Sequence, residues 1–169
     1  AYAKDYPEEA KKSNAALELA AIYEEHRQFS LAAALLAETR DALPADDALK
    51  AELTSRLAED YSALGDEEKA ENEYRALLKN PLKTNSFRLS ALGKLGETYE
   101  KKERWPQALE IYQELAQSAV QKDWVEAAKA RVAYIKEKMS GNSASGVELS
   151  TPAVAAPAAR KPAAKRKKP

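Results

Sequence analysis

The side chains that could carry catalysis or bind a metal are a single histidine and several neighbouring carboxylates. His26 is the one histidine of the chain, and the chain has no cysteine. A catalytic or metal-binding histidine needs a nucleophile or further ligands beside it, and neither a cysteine nor a second histidine is present to supply them. Neighbouring carboxylates on a helix point in different directions, so they form no acid–base pair. The adjacent acids are Glu24 and Glu25, Asp46 and Asp47, and Glu67 and Glu68. We therefore predict a protein that is not an enzyme, with no catalytic residue, no metal site and no cofactor.

Charge is distributed unevenly along the chain. The 27 basic and 27 acidic residues cancel overall, but residues 140–169 hold six bases and one acid, which leaves residues 1–139 mildly acidic. This last segment is rich in Ala and Pro and poor in large apolar residues, so we predict that it is disordered. It either keeps the protein soluble, contacts nucleic acid or anionic lipid through counterion release, or is read as an address by a receptor. Its basic residues are Arg160, Lys161, Lys165, Arg166, Lys167 and Lys168.

A 38-residue repeat runs through the rest of the chain. Tyr23, Tyr61 and Tyr99 are spaced 38 residues apart. Each tyrosine has a leucine four residues before it, a small residue three before it, an alanine nine after it and a large side chain thirteen after it. These residues are Leu19, Leu57 and Leu95; Ala20, Ala58 and Gly96; Ala32, Ala70 and Ala108; and Leu36, Tyr74 and Tyr112. The recurrence predicts three structurally equivalent units.

The spacing inside each unit is that of a helical hairpin. The leucine, the small residue and the tyrosine lie on one face of a first helix, and the alanine and the large residue lie on one face of a second helix. The small residues let the two backbones approach closely. Each hairpin then leaves apolar surface that a neighbouring hairpin must cover, so we predict an all-α solenoid. The scarcity of glycine and the abundance of Ala, Leu, Glu and Lys agree with this class.

The third unit resembles the tetratricopeptide repeat (TPR) family. The pattern Leu92-x2-Leu95-Gly96-x2-Tyr99, followed by Ala108-x3-Tyr112, is similar to the family motif. Phe29 and Trp105 fall where that family often has an aromatic residue before its second helix. The period of 38 exceeds the usual 34 and is similar to that of bacterial envelope TPR proteins of the outer-membrane assembly and Tol–Pal coordinator type. The resemblance implies a right-handed solenoid of antiparallel hairpins. It favours the bacterial periplasm or membrane periphery, with the cytoplasm as the alternative.

The repeat also sets the expected boundaries. We predict the end of a preceding repeat helix at 1–6, with further repeats upstream. Three TPR-like repeats follow at 7–44, 45–82 and 83–121, then a C-terminal capping helix at 122–139 and the disordered basic tail at 140–169.

In TPR proteins the first helices of successive units line a concave groove, and the resemblance therefore predicts a partner-binding site there. The groove candidates are first-helix residues off the Leu–Tyr stripe: Leu17, Ala21, Glu24, Glu25, Glu52, Ser55, Glu59, Ser62, Ser90, Gly93, Glu97, Glu100 and Lys101. Ala21, Glu59 and Glu97 stand where chaperone-binding TPR domains have a key Asn, so that specificity is rejected. The acidic lining favours a basic or polar extended segment, which includes the chain's own tail, although the same glutamates also suit a plain solvated surface.

We therefore predict a protein–protein interaction scaffold whose partner is a protein or peptide segment. Two alternatives remain at this stage. One is a structural module that self-associates as a homo-oligomer, and the other is an accessory factor that contacts nucleic acid or anionic membrane through its basic tail.

Overall fold

The structure is a computed structural model, and it describes residues 7–44, 49–79 and 86–141. These residues form seven helices and contain no strand. The helices are α1 (Pro7–Glu25), α2 (Phe29–Ala42), α3 (Leu49–Ala63), α4 (Glu67–Leu78), α5 (Ser86–Lys101), α6 (Trp105–Ser118) and α7 (Lys122–Met139). Each helix packs on the next one along the chain, and α3 also contacts α5. The predicted all-α solenoid is confirmed.

The turns inside the three hairpins repeat the same backbone conformation. Arg27, Gly65 and Glu103, spaced by 38 residues, have φ angles of 57°, 75° and 52°. The residue that follows each of them donates a backbone hydrogen bond of 2.8–2.9 Å to the carbonyl of the unit's repeat tyrosine. The left-handed residue ends the first helix and turns the chain so that the next N–H satisfies one of the last carbonyl groups of that helix. The repeat therefore extends to backbone geometry.

Most of the predicted repeat positions form the core. The small residues on the first helices are buried, as are the alanines and the large side chains on the second helices. Leu57 and Leu95 are 0% exposed. One apolar cluster joins the first unit to α3 and a second runs from α3 to α7, and half-buried Tyr61 packs against both. The core is thus continuous along the stack.

The first unit departs from this pattern. The prediction that Leu19 occupies a core position is wrong, because its side chain is 40% exposed. Tyr23 is only partly buried. Leu57 and Leu95 are covered because a second helix precedes each of them, whereas no helix precedes α1 among the described residues.

The last described helix packs against the third unit. Helix α7 packs on α6 and buries Ala128 and Ile135, while Met139 at its end is 48% exposed. Trp105 meets Tyr134 edge to face, with ring centroids 6.5 Å apart. The predictions for residues 1–6 and for the tail beyond Gly141 lie outside the described residues.

Candidate partner-binding face

The predicted groove residues divide into three groups by exposure. The exposed ones are Ala21, Glu25, Glu59, Ser62 and Lys101, and the half-buried ones are Leu17, Glu24, Glu52, Glu97 and Glu100. Ser55, Ser90 and Gly93 are buried, so in this conformation they offer a partner little surface. The serine side chains are short and Gly93 has no side chain, so none of the three extends past longer neighbours.

Ion pairs connect successive first helices across this surface. Two nitrogens of the Arg56 guanidinium on α3, Nε and Nη2, donate to Glu24 on α1 at 3.1 and 2.6 Å. Arg56 also donates to the backbone carbonyl of Leu17 at 2.9 Å. At the other end, Arg131 on α7 lies 3.6 Å from Glu100 on α5. Such partly buried pairs fix the relative position of the helices that carry them.

Between these pairs, Lys94 on α5 lies close to two acids. Its Nζ is 4.0 Å from Glu97, and its charge reaches Glu59 on α3. Loss of solvent around the carboxyl raises the pKa of Glu59; Lys94 opposes this rise, and Glu24 adds to it. We call the surface formed by these charged residues and Ser62 the first-helix face: Glu24, Arg56, Glu59, Ser62, Lys94, Glu97, Glu100 and Arg131.

Sequence reasoning missed the three bases of this face. The groove prediction took residues off the Leu–Tyr stripe of each first helix and did not ask what the next helix places opposite them. A signal for two of the bases was present, because Arg56 and Lys94 occupy the same position of the 38-residue repeat. The face is therefore a mixed surface with an excess of acid rather than an uninterrupted acidic lining.

A buried carboxyl lies beside this face. Asp60 on α3 is 2% exposed, and its Oδ2 atom has no hydrogen-bond partner. Burial raises the pKa of Asp60 to about 7; the nearby Glu24 adds to the rise, and Arg56 opposes it. The guanidinium of Arg56, one helical turn away, is already engaged by Glu24 and Leu17. Near neutral pH this carboxyl is therefore partly protonated.

Two buried tyrosines on second helices, Tyr74 and Tyr112, lie next to residues of the first-helix face. Burial raises the pKa of Tyr74 to about 12, against the effect of a hydrogen bond with Ser62. Burial also raises the pKa of Tyr112, and the charge of Glu100 adds to it. Both phenols therefore stay neutral at physiological pH and act as packing and hydrogen-bonding groups rather than as bases.

A separate network joins the second and third units behind the face. The Tyr99 hydroxyl donates to Glu71 at 2.8 Å and accepts from Arg75 at 2.5 Å. Burial alone would raise the pKa of Glu71, but the hydrogen bonds from Tyr99 and Arg75 hold it below its ordinary value. Arg40 on α2 pairs with Glu73 on α4 at 2.6 Å and links the first two second helices. The units are thus held together by polar contacts as well as by the core.

The described part of the chain offers no group of three or more His, Cys, Asp or Glu side chains placed to hold a metal ion. His26 is exposed. Over the same residues, no helix has the length and apolar character needed to cross a membrane.

No protein-family model matches the sequence, and no curated protein matches it either. The evidence for a repeat-like helical architecture is the order of the seven helices and the 38-residue periodicity of the sequence.

Proposed function

We propose that this chain is a non-enzymatic TPR-type scaffold that binds a basic or polar extended segment of a partner protein on the first-helix face. One observation carries the proposal. Charged side chains of three successive first helices and of α7 meet on a single surface, linked by the pairs Glu24–Arg56 and Glu100–Arg131. The TPR assignment is supported by the motif of the third unit and by the recurring hairpin turn.

The sign of the charge expected on the partner follows from the charges on the face. Four glutamates face three bases, and exposed Glu25 lies next to them. An excess of negative charge steers a positively charged segment towards the surface and orients it there. Bases on the partner can pair with exposed Glu59 or compete with Lys94 for Glu97, while polar groups can bond to Ser62.

Rigidity also supports binding on this face. The ion pairs between helices and the Tyr99 network hold the units in fixed relation before any partner arrives. A surface that is already organised loses little conformational entropy on binding. Because the 38-residue period resembles that of bacterial envelope TPR proteins, we expect the partner in the periplasm or at the membrane periphery of a bacterium, with the cytoplasm as the alternative.

The first prediction concerns charge reversal on the face. Glu59→Lys combined with Glu97→Lys should weaken binding of a fluorescently labelled peptide of alternating lysine and alanine by about tenfold or more, since attraction becomes repulsion at two exposed or half-exposed sites. Fluorescence anisotropy in low-salt buffer measures this affinity. Binding to the unaltered chain should weaken steeply as salt is added.

A matched variant separates the face from overall charge. Glu68→Lys combined with Glu110→Lys makes the same charge change at exposed positions on the second helices α4 and α6. This control should bind the peptide almost as well as the unaltered chain, and both double variants should keep their helical circular dichroism. Equal losses in the two variants, or no binding by the unaltered chain, would refute the proposal.

A further inference from the structure

Two acids of the first-helix face share one base. Glu59 on α3 is exposed, and in the described part of the chain no base pairs with its carboxylate. Lys94 on α5 acts on Glu59 only through its charge, and its Nζ lies 4.0 Å from Glu97. Beyond the effect of burial, the charges of Glu59 and Glu97 both help to raise the pKa of Tyr74, so the two carboxylates lie near one hydroxyl group. This part of the face therefore favours an added positive charge.

A buried acceptor beside these acids also lacks a partner. Asp60 is 2% exposed, and its Oδ2 atom accepts no hydrogen bond. The three charged groups that act on this carboxyl are Glu24, Arg56 and Glu59, and all of them belong to the first-helix face. A base that docks beside Glu59 compensates this carboxyl as well. Two independent features of the face thus point to a cationic ligand.

The same chain carries a dense run of bases after α7. Six of the nine residues from 160 to 168 are Lys or Arg, and none is acidic. We call residues 160–168 the basic segment. Residues 142–159, which connect it to the stack, hold one acid and no base. The last turn of α7 is itself basic, with exposed Lys136 and Lys138, so the basic segment is repelled there and attracted to surfaces of opposite charge.

The basic segment is close enough to reach this face. It begins 19 and ends 27 residues after Gly141, the last described residue. The sequence predicts that the connection is disordered, and disordered chains of that length span on average roughly 25 to 30 Å. The end of α7 lies about 12 Å along the helix from Arg131, which is 3.6 Å from Glu100. Helix α3 contacts α5, and neighbouring helix axes are about 8 to 10 Å apart, so Glu59 and Glu97 lie within that span.

We propose that the basic segment docks on the first-helix face of its own chain, at Glu59 and Glu97, and that a partner must displace it in order to bind. The proposal rests on the proposed function, because it takes the same surface and adds how access to that surface is regulated. A tethered segment acts at an effective concentration in the millimolar range, so even a weak contact keeps the site occupied. The face thus selects partners that bind it more tightly than the basic segment does.

Paramagnetic broadening in the full chain tests this contact. Because the chain has no cysteine, Ala163→Cys introduces a single thiol inside the basic segment, to which a nitroxide label can be attached. In low-salt buffer the label should reduce the amide signals around Glu59, Ser62 and Glu97 and leave those on the exposed side of α4 and α6 unchanged. Added salt should restore the signals, since screening weakens contacts between exposed charges.

Two double variants of equal net charge separate the face from general attraction. In the labelled chain, Glu59→Lys with Glu97→Lys should abolish the broadening on the first helices, whereas Glu68→Lys with Glu110→Lys should preserve it. An isotope-enriched chain without the nitroxide, mixed with a nitroxide-labelled chain of natural isotope content, should show no broadening, because the contact lies within one chain. Broadening that is absent, that is even on all sides of the stack, that survives Glu59→Lys with Glu97→Lys, or that is equally strong in the mixture overturns the proposal.

The lysine–alanine peptide distinguishes this proposal from the proposed function. Added in excess to the nitroxide-labelled chain, the peptide should restore the signals around Glu59 and Glu97 as it displaces the basic segment. Peptide binding to a face that showed no broadening beforehand would overturn the basic-segment contact and leave the proposed function standing. Broadening on the face without any peptide binding would support the contact and contradict the proposed function.

Discussion

Asp60→Asn should stabilise the protein at about pH 8 and remove much of the dependence of its stability on pH. The carboxyl of Asp60 is 2% exposed and has an oxygen without a hydrogen-bond partner, beside Glu24 and Glu59. Ionising it in the folded protein leaves a buried charge that the engaged guanidinium of Arg56 compensates only in part. An amide of the same shape carries no charge at any of these pH values.

The direction of the effect follows from proton linkage. Burial raises the pKa of Asp60 from 3.8 to about 7, so between these values the folded chain binds more protons than the unfolded chain. Its contribution to stability is therefore intact below the lower value, falls as pH rises between the two, and is lost above about 7. From pH 5 to pH 8 the loss is about 3 kcal/mol, which corresponds to several degrees in the midpoint of thermal unfolding.

Thermal and urea unfolding at about pH 5 and about pH 8 measure this difference. At the lower pH, Asp60→Asn should be neutral or mildly destabilising, because the amide must also find hydrogen bonds. At the higher pH it should be more stable than the unaltered chain. Glu110→Gln, which removes an exposed carboxylate in the middle of α6, serves as the control and should change little. A parallel pH dependence in the unaltered chain and in Asp60→Asn would contradict the assignment.

Gly96→Ala should destabilise the protein by about 2 kcal/mol, although alanine is the better helix former. A Cβ atom at Gly96 would lie 2.6 Å from Cζ and 2.7 Å from Cε1 of Tyr112. The Tyr112 ring is 4% exposed and is enclosed between α5 and neighbouring helices, so it cannot move aside without disturbing the core. Overpacking should therefore exceed the roughly 1 kcal/mol gained from helix propensity.

A double-mutant cycle tests the cause. The first unit has Ala20 and Leu36 at the positions of Gly96 and Tyr112, and both are 0% exposed. Tyr112→Leu should therefore relieve part of the clash in Gly96→Ala, with a favourable coupling of about 1 kcal/mol or more measured by urea unfolding. A stabilising Gly96→Ala, or purely additive effects of the two substitutions, would show that the helices are not in close contact at this point.

The core of this fold could be predicted because the side chains that build it recur every 38 residues. Leu57, Leu95 and the second-helix residues Tyr74 and Tyr112 are buried as their positions required. The left-handed hairpin turns could be predicted only at Gly65. At Arg27 and Glu103 the same conformation is imposed by the packing of the hairpin and has no sign in the residue type.

The exposure of the candidate binding face was less predictable, since it depends on neighbours from other units. Spacing along one helix identified Glu24, Glu59 and Glu97 but could not show that Ser55 and Ser90 are covered. Asp60 was missed for a related reason. It lies at a contact between units, where Ile22 and Thr98 occupy the equivalent positions, so the repeat gave no indication of a buried acid.

Whether the first helices form one binding surface is tested most directly by mapping backbone amide chemical shifts in the full chain during titration with the lysine–alanine peptide. We predict that the largest changes fall on three successive first helices, around Glu24, Glu59 to Ser62, and Glu97 to Glu100. Changes confined to the second helices α2, α4 and α6, or spread evenly over exposed acids on every side of the stack, would contradict binding on this face.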